Sequence, residues 1–328
     1  MGKPVRMADI AKKLNISVVS VSKALSGKRG VSEEMRAKVA ALAKEMGYEG
    51  VRTVYNHGTG GNIGVLVPDR FYSGNGFYTS LYRFLALKSS AEGLTCMMEI
   101  VSAEAERSTA VPSLIAGKKV EAIIFMGNFD APYVRAVAEK GLPFILLDFH
   151  IPGYAKNCVT SDNLDGGFLL TRYLLETGRR EIGFVGSIWA TSSIMGRYLG
   201  YQWALQTEGL TPKKEWLLED RDKNGILVPM VLPDTLPQAF LCSCDAVAYY
   251  LIETLRRAGK RVPEDVAVCG YDDIRTPLSA QIPLTTYRVD IERMANVTIN
   301  QLLRKIRQEQ TDTVFCTIPG QMIVREST

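Results

Sequence analysis

Catalysis needs placed acids, bases and nucleophiles, and histidine is the commonest of them. This chain of 328 residues has two, His57 and His150. A Ser-His-Asp triad would need one of them beside an activated serine, and the sequence contains no Gly-x-Ser-x-Gly elbow. Cys242-Ser-Cys244 with Cys269 invites a thiolate metal site, but the spacing is not that of zinc-binding pairs and no histidine is near in sequence. The six cysteines lie mostly in apolar, strand-like runs and read as reduced core thiols. The glycine-rich run at 58–61 suggests a phosphate loop, yet no Lys-Ser/Thr follows it and the next element is a strand. These features point away from an enzyme and toward a chain with no cofactor or resident metal.

Binding a polyanion is the chemistry that the residues do support. Met7, Ile10, Ala11 and Leu14 recur at i, i+3, i+4 and i+7, one apolar stripe of a short helix. Asn15-Ile16-Ser17 interrupts that period, and Ser17 is suited to cap a second helix. On the second helix Val21, Ala24 and Leu25 share one face. Val19, Ser22 and Lys23 point the opposite way, with Val18 on the border. A third helix starts at Ser32, carries Glu33 and Glu34 in its first turn, and has Met35, Val39, Leu42, Ala43 and Met46 as its stripe. Two short helices joined by a three-residue turn, the second with small and basic residues outward, describe a helix-turn-helix. Charge separates this from a three-helix bundle with no DNA partner. Residues 1–60 carry eleven Lys/Arg against five Asp/Glu, whereas the remainder carries 28 against 30.

The elements downstream have a different character. The length exceeds what one hydrophobic core usually reaches, so two or three folding units are expected. A hydrophobic content of 46% with 23% charged residues is ordinary for a globular protein. No apolar run approaches the ~20 residues needed to span a bilayer. The N-terminus lacks a hydrophobic signal core, so a cytoplasmic location without membrane contact is expected. Buried strands are predicted at 63–68, 94–100, 120–126 and 143–148, with helices at 77–92, 106–117 and 130–140 between them. A second series has helices at 164–177, 192–208 and 245–258, and strands at 181–186, 238–243 and 265–270. Residues 285–290 read as a connector into a helix at 290–309, and strands at 313–318 and 321–326 close the chain. Alternation of this kind predicts parallel sheets with crossover helices.

Ala8-Asp-Ile-Ala-Lys-Lys-Leu, Ser17-Val-Val-Ser-Val-Ser-Lys-Ala-Leu, Gly27, Val31-Ser-Glu-Glu and Gly47-Tyr48 closely resemble the head of the lactose-repressor (LacI/GalR) family of bacterial transcription regulators. Ile63-Gly-Val-Leu-Val-Pro, Gly178-Arg-Arg-Glu-Ile-Gly-Phe-Val-Gly and Arg261-Val-Pro-Glu-Asp-Val-Ala-Val-Cys-Gly-Tyr-Asp-Asp with Pro283-Leu-Thr-Thr extend the resemblance over nearly the whole chain. It implies an α/β protein with a helix-turn-helix head at 1–49, a hinge linker at 50–61, and a periplasmic-binding-protein-like core at 62–328. The core would comprise two parallel-sheet α/β subdomains, one of 62–159 with 290–318 and one of 160–289 with 319–328. The chain would cross between them near 160, 288 and 319.

The resemblance also implies roles for residues. Val18, Val19 and Lys23 match base-reading positions, and Ser17, Ser22 and Lys28 are candidates for phosphate contact. The family's hinge helix is rich in alanine and leucine, a pattern absent from this linker, which leaves Val51 or Val54 as candidates for the minor-groove wedge. Arg197, Asp272 and Asp148 match the effector-binding pattern, the first two expected at the ends of two different strands. The alternative for each is a structural ion pair or a strand-end cap. Trp189, Tyr72, Phe77 and Tyr78 are candidates for a stacking face. Cys244-Asp245 replaces the usual Asn-Asp, which removes one polar contact. The charged run 219–225 stands where an aromatic often stacks on a sugar. A homodimeric repressor of a carbohydrate operon, binding double-stranded operator DNA and a small ligand such as a sugar, is the expected function. The alternatives are a regulator activated by a corepressor or protein partner, and a sugar-binding protein of transport type.

Overall fold

The computed structural model describes residues 5–25, 30–46, 61–72, 76–222, 225–274, 282–309 and 315–328. They fall into two units, Met1–Gly61 and Asn62–Thr328.

The first unit is three helices, α1 (Met7–Leu14), α2 (Val18–Leu25) and α3 (Glu33–Glu45). Ile10, Ala11, Val21, Val39 and Ala43 form its core. Asn15, at φ 51°, takes the left-handed turn that ends α1, a conformation asparagine tolerates better than most residues. Ser17 Oγ accepts the Ser20 N–H at 3.0 Å and Ser32 Oγ accepts the Met35 N–H at 3.3 Å, so each serine satisfies a first-turn donor.

The second unit contains two parallel sheets. The strands of the first are β1 (Asn62–Pro68), β2 (Thr95–Val101), β3 (Ala122–Met126), β4 (Phe144–Leu147) and β5 (Cys158–Ser161). Helices α4 (Asp69–Tyr72), α5 (Gly76–Ala91), α6 (Ala103–Arg107), α7 (Ser113–Ala116) and α8 (Ala131–Ala138) connect them. After α9 (Asn163–Glu176) come β6 (Ile182–Val185), α10 (Ser192–Thr207), β7 (Leu217–Leu218), β8 (Ala239–Cys242), α11 (Asp245–Arg257) and β9 (Ala267–Cys269), the second sheet and its helices. The return segment is β10 (Thr286–Arg288), α12 (Ile291–Ile306), β11 (Cys316–Ile318) and β12 (Gln321–Ile323). Among the described residues the sheet orders are β11-β5-β4-β3-β1-β2 and β7-β6-β8-β9, with β10 and β12 paired antiparallel. Strand order reverses between β1 and β3 and around β6. Open α/β sheets bind ligands outside the C-terminal strand ends at such points. The near-continuous apolar runs are explained by burial on both faces: every residue of β3 and β8 is buried. No helix among the described residues is long and apolar enough to cross a membrane.

The chain passes between the sheets at 161–163, 288–291 and 318–321. Two tyrosines bind these passages. The Tyr271 hydroxyl donates to the Asp162 carbonyl at 3.0 Å, and the Tyr287 hydroxyl accepts the Gly320 N–H at 2.8 Å. Their rings lie 5.0 Å apart.

Several elements differ from expectation. The single helix predicted at 106–117 is two short ones, because Ser102 caps α6, Thr109 adopts φ 53° and Pro112 precedes α7. The connector at 285–290 contains β10, whose Thr-Tyr-Arg offers no apolar run. Strands β5, Cys-Val-Thr-Ser, and β7, Leu-Leu, likewise lack an apolar run of strand length. The strand predicted at 321–326 ends at Ile323.

Helices α9 and α10 cross at glycines. A Cβ on Gly200 would strike the Leu164 carbonyl, and one on Gly167 would strike the backbone of Arg197. In an isolated helix Gly→Ala stabilises by about 1 kcal/mol. At this crossing the clash with backbone dominates, so Gly200→Ala is expected to destabilise by about 1–3 kcal/mol. Its thermal midpoint should fall below that of the wild type, and a rise would show that the helices can move apart freely.

Candidate DNA-reading surface and ligand cleft

In the three-helix unit, α2 buries Val21 completely and turns its other face outward. Val18 is 47% and Val19 62% exposed, and Ser17, Ser22 and Lys23 are exposed beside them. Two adjacent outward valines are poor choices for a surface that meets only water. A thymine methyl in the major groove would match them, with Lys23 supplying charge. Lys28, Val51 and Val54 lie outside the described residues.

In the larger unit the ligand candidates converge. Arg197 is 6% exposed. It sits within α10 rather than at a strand end, because the β6–α10 loop runs on to Thr191, whose side chain caps the helix at the Ile194 N–H. Its Nε donates to Asn163 Oδ1 at 2.8 Å and its Nη1 to the Ser243 carbonyl. Nη2 lies 3.7 Å from Asp272 Oδ1, and the guanidinium stacks 3.7 Å from the centroid of the Tyr271 ring. Burial alone would lower its pKa, but Asp272, Tyr271 and Asp148 outweigh burial and hold the charge firmly.

Asp148 approaches from the other sheet, at the end of β4. It is 5% exposed and adopts φ 67°. The Tyr78 hydroxyl donates to its Oδ2 at 2.8 Å, and Ser193 Oγ donates to its carbonyl at 2.8 Å. The His150 N–H, two residues on, donates to Ser192 Oγ at 3.1 Å. These bonds join the first sheet to α10. Asp148 Oδ1 is buried with no hydrogen-bond partner among the described residues. Burial pushes the Asp148 carboxyl up to about 6, with Arg197 and the Tyr78 hydroxyl only partly offsetting it. Tyr78 is raised by burial and then by Asp148. Asp272, with φ 113°, is raised by burial, against the pull of Arg197.

Asp272 and Asp273 divide their work. Asp272 faces Arg197, whereas Asp273 accepts Arg288 Nε and Arg325 Nη2, each at 2.6 Å. Asp245 caps this turn by accepting the Ile274 N–H at 2.8 Å and the Thr286 hydroxyl at 2.6 Å. The charged run contributes a buried pair: Arg221 binds both oxygens of Asp220, which also accepts the Ser187 N–H and the Ser243 hydroxyl.

The other candidates are placed as follows. Phe77 is buried, edge-on to Tyr78 at 5.2 Å. Trp189 is 89% exposed in the loop after β6, and Tyr72 is partly exposed on α4. Cys244 lies near enough to Asp272 and Arg221 for their charges to act on its thiol. An open groove of about 530 Å³ lined by residues including Leu232, Pro237 and Lys260 lies at the N-terminal ends of β8 and β9, away from Ser243 and Tyr271. Sequence reasoning did not assign Asn163, Ser193, Ser243 or the Asp220–Arg221 pair. Ser243, immediately after the apolar run of β8, carried a signal of a polar group at a strand end, whereas Ser193 inside α10 carried none.

A basic three-helix unit with a helix-turn-helix, followed by two parallel sheets whose polar strand-end groups meet around Arg197, is the architecture of a ligand-responsive DNA-binding regulator. Residues 6–50 match the model of bacterial regulatory proteins of the lacI family, and residues 171–328 that of a periplasmic binding protein-like domain. The HTH-type transcriptional repressor PurR of Pectobacterium atrosepticum is 27% identical over 97% of this chain and 95% of its own. The ribose operon repressor of Halalkalibacterium halodurans is 28% identical over 98% and 96%. The lac repressor dimer bound to operator and the anti-inducer ONPF superposes with a TM-score of 0.68 at 21% identity, covering 99% of both chains. The chain thus carries a lacI-family helix-turn-helix head and a periplasmic binding protein-like domain, in that order.

The buried Asp148 carries a stability cost that titration exposes. The folded protein holds this proton more tightly than the unfolded chain, whose carboxyl titrates near 4. Its contribution is therefore fully present below about pH 4 and is lost as pH rises to about 6. Asp148→Asn should be more stable than wild type at pH 7 by on the order of 2–3 kcal/mol, with the gap closing toward pH 4. Unfolding midpoints of both proteins across that range measure it. A gap that does not change with pH would mean that Asp148 is not the titrating group.

Proposed function

We propose that this protein is a homodimeric repressor of a carbohydrate-metabolism operon, in which a small polyhydroxylated ligand in the cleft changes operator affinity. The observation that carries the proposal is the convergence of Arg197, Asp272, Asp148 and Tyr78 from both sheets on one buried point. Charged and polar groups of this kind suit hydroxyls, because charge-assisted hydrogen bonds are strong and directional. The ribose operon repressor among its relatives supports the ligand class. One helix-turn-helix covers half a site, so a two-fold dimer on a near-palindromic operator is the natural arrangement. The lac repressor dimer supports it. Val18, Val19 and Lys23 are assigned to base reading, Ser17, Ser22 and Lys28 to phosphate contact, and Val51 or Val54 to the minor groove. Ligand binding shifts DNA affinity only by its preference for one state of the core, so a ~100-fold response requires a difference of about 2.7 kcal/mol.

Selection of DNA sites from a random pool by the full chain, followed by affinity measurement, tests the proposal. A near-palindromic site is expected. Lys23→Ala should weaken it by about 1–3 kcal/mol and relax one base pair per half-site. Arg197→Ala and Asp272→Ala, once shown to fold, should bind that site as wild type does yet lose the response to a sugar that releases the wild type. Selected sites without symmetry, or variants that still release DNA at the wild-type sugar concentration, would overturn it.

A further inference from the structure

Helices α9 and α10 turn an apolar face to solvent that the cleft does not use. Their inner faces pack on the second sheet, where Leu170, Leu174, Tyr201 and Leu205 are buried. The outer faces carry Leu164 and Leu169 on α9 and Leu199 and Trp203 on α10, each between 41% and 47% exposed. The glycine crossing brings the two rows together, and the Phe168 ring lies 4.4 Å from that of Trp203 across the seam. Arg197, which is buried, is the one charged residue between Ser192 and Thr207, so no exposed charge interrupts the row on α10. Single exposed leucines are ordinary, whereas five large apolar side chains gathered in one patch mark an interaction surface.

The charges on α9 indicate what covers it. Asp165 and Arg172 are exposed on either side of Leu169. Seven residues are nearly two full turns, so both point the same way, about 10.5 Å apart along the axis. Arg172 Nε lies 2.8 Å from Glu176 Oε1, whereas Asp165 makes no ion pair among the described residues. Opposite charges placed evenly about the apolar centre fit a helix that meets its own copy antiparallel. A two-fold axis between Phe168 and Leu169 sets each Asp165 opposite the other copy's Arg172 and lays the apolar row against itself. An apolar centre with a charged rim is the usual anatomy of a protein interface. A lipid surface or a nucleic acid fits less well, because each selects a basic face, and the exposed charges of these helices are Asp165, Glu176 and the single base Arg172.

We infer that the α9–α10 face is a self-association surface on which a second copy of this chain docks, α9 antiparallel to α9, with Phe168, Leu199 and Trp203 at the centre. Five apolar side chains fall short of the roughly 20–30 residues a side of a standard stable interface. The contact therefore adds to the pairing that aligns two heads on an operator and does not replace it. It joins dimers reversibly into a tetramer.

Sedimentation equilibrium of the full chain across the micromolar range tests this. The wild type is expected to pass from dimer to tetramer as concentration rises. Trp203→Glu, or Leu199→Lys should that variant fail to fold, is expected to weaken the tetramer at least tenfold while binding a palindromic site within twofold of wild type. Asp165→Arg and Arg172→Asp should each weaken it at least tenfold as well, and the two together should restore it, because the facing charges are then exchanged and again opposite. A wild type that never exceeds a dimer overturns the inference and leaves the face to a different occupant. Charge reversals whose effects add without rescue overturn it too. So does a Trp203→Glu variant that becomes a monomer and loses the palindromic site, because the face would then be the one that pairs the heads.

Discussion

The core is built around one buried guanidinium. Arg197 is almost wholly buried, and a charge so placed survives only where its surroundings are arranged for it. Asn163 comes from the start of α9, the Ser243 carbonyl from the end of β8, Tyr271 and Asp272 from the turn after β9, and Asp148 from the end of β4. The arginine thus fixes the relative positions of four segments that the chain order keeps far apart. The α9–α10 crossing that delivers it depends on Gly167 and Gly200, because a side chain at either position would collide with backbone.

The same group connects the cleft to the passages between the sheets. Its guanidinium lies on Tyr271, whose hydroxyl holds the Asp162 carbonyl where the chain first crosses. Tyr271 packs against Tyr287, which holds Gly320 at the last crossing. Asp272 faces the arginine, and its neighbour Asp273 binds Arg288 and Arg325 on the returning segments. A ligand that alters the Arg197–Asp272 contact therefore acts one residue away from the ion pairs that tie the crossing strands. That continuity gives a physical route by which a small molecule could bias domain closure, the two-state element such regulators use.

Much of this was legible in the sequence. The helix stripes of the head, the outward valines of α2 and the alternation of apolar runs with helices each follow from periodicity that one chain displays. Arg197, Asp272 and Asp148 were picked out by resemblance, and the structure brings them to one point. What escaped prediction lacked an apolar run or depended on tertiary contacts. Strands β5, β7 and β10, Cys-Val-Thr-Ser, Leu-Leu and Thr-Tyr-Arg, lack the continuous apolar runs that mark the equally short β4, β6 and β8. Asn163, Ser193 and Ser243 are ordinary polar residues until folding places them around a charge. Within the charged run at 219–225, Asp220 is almost wholly buried against Arg221. Trp189, a candidate for a stacking face, is 89% exposed.

The central claim is that Arg197 and Asp272 act as a unit, each offsetting the cost of burying the other. A double-mutant cycle on the full chain, with Arg197→Met, Asp272→Asn and the double variant unfolded in urea at pH 7, measures this most directly. Arg197→Met alone should cost about 3–5 kcal/mol, because it leaves buried carboxylates uncompensated. Adding Asp272→Asn should recover at least 1 kcal/mol of that, giving a clear coupling energy. Losses that simply add would contradict the account, and would return Arg197 to the role of a packed side chain whose charge does no more than accompany its shape.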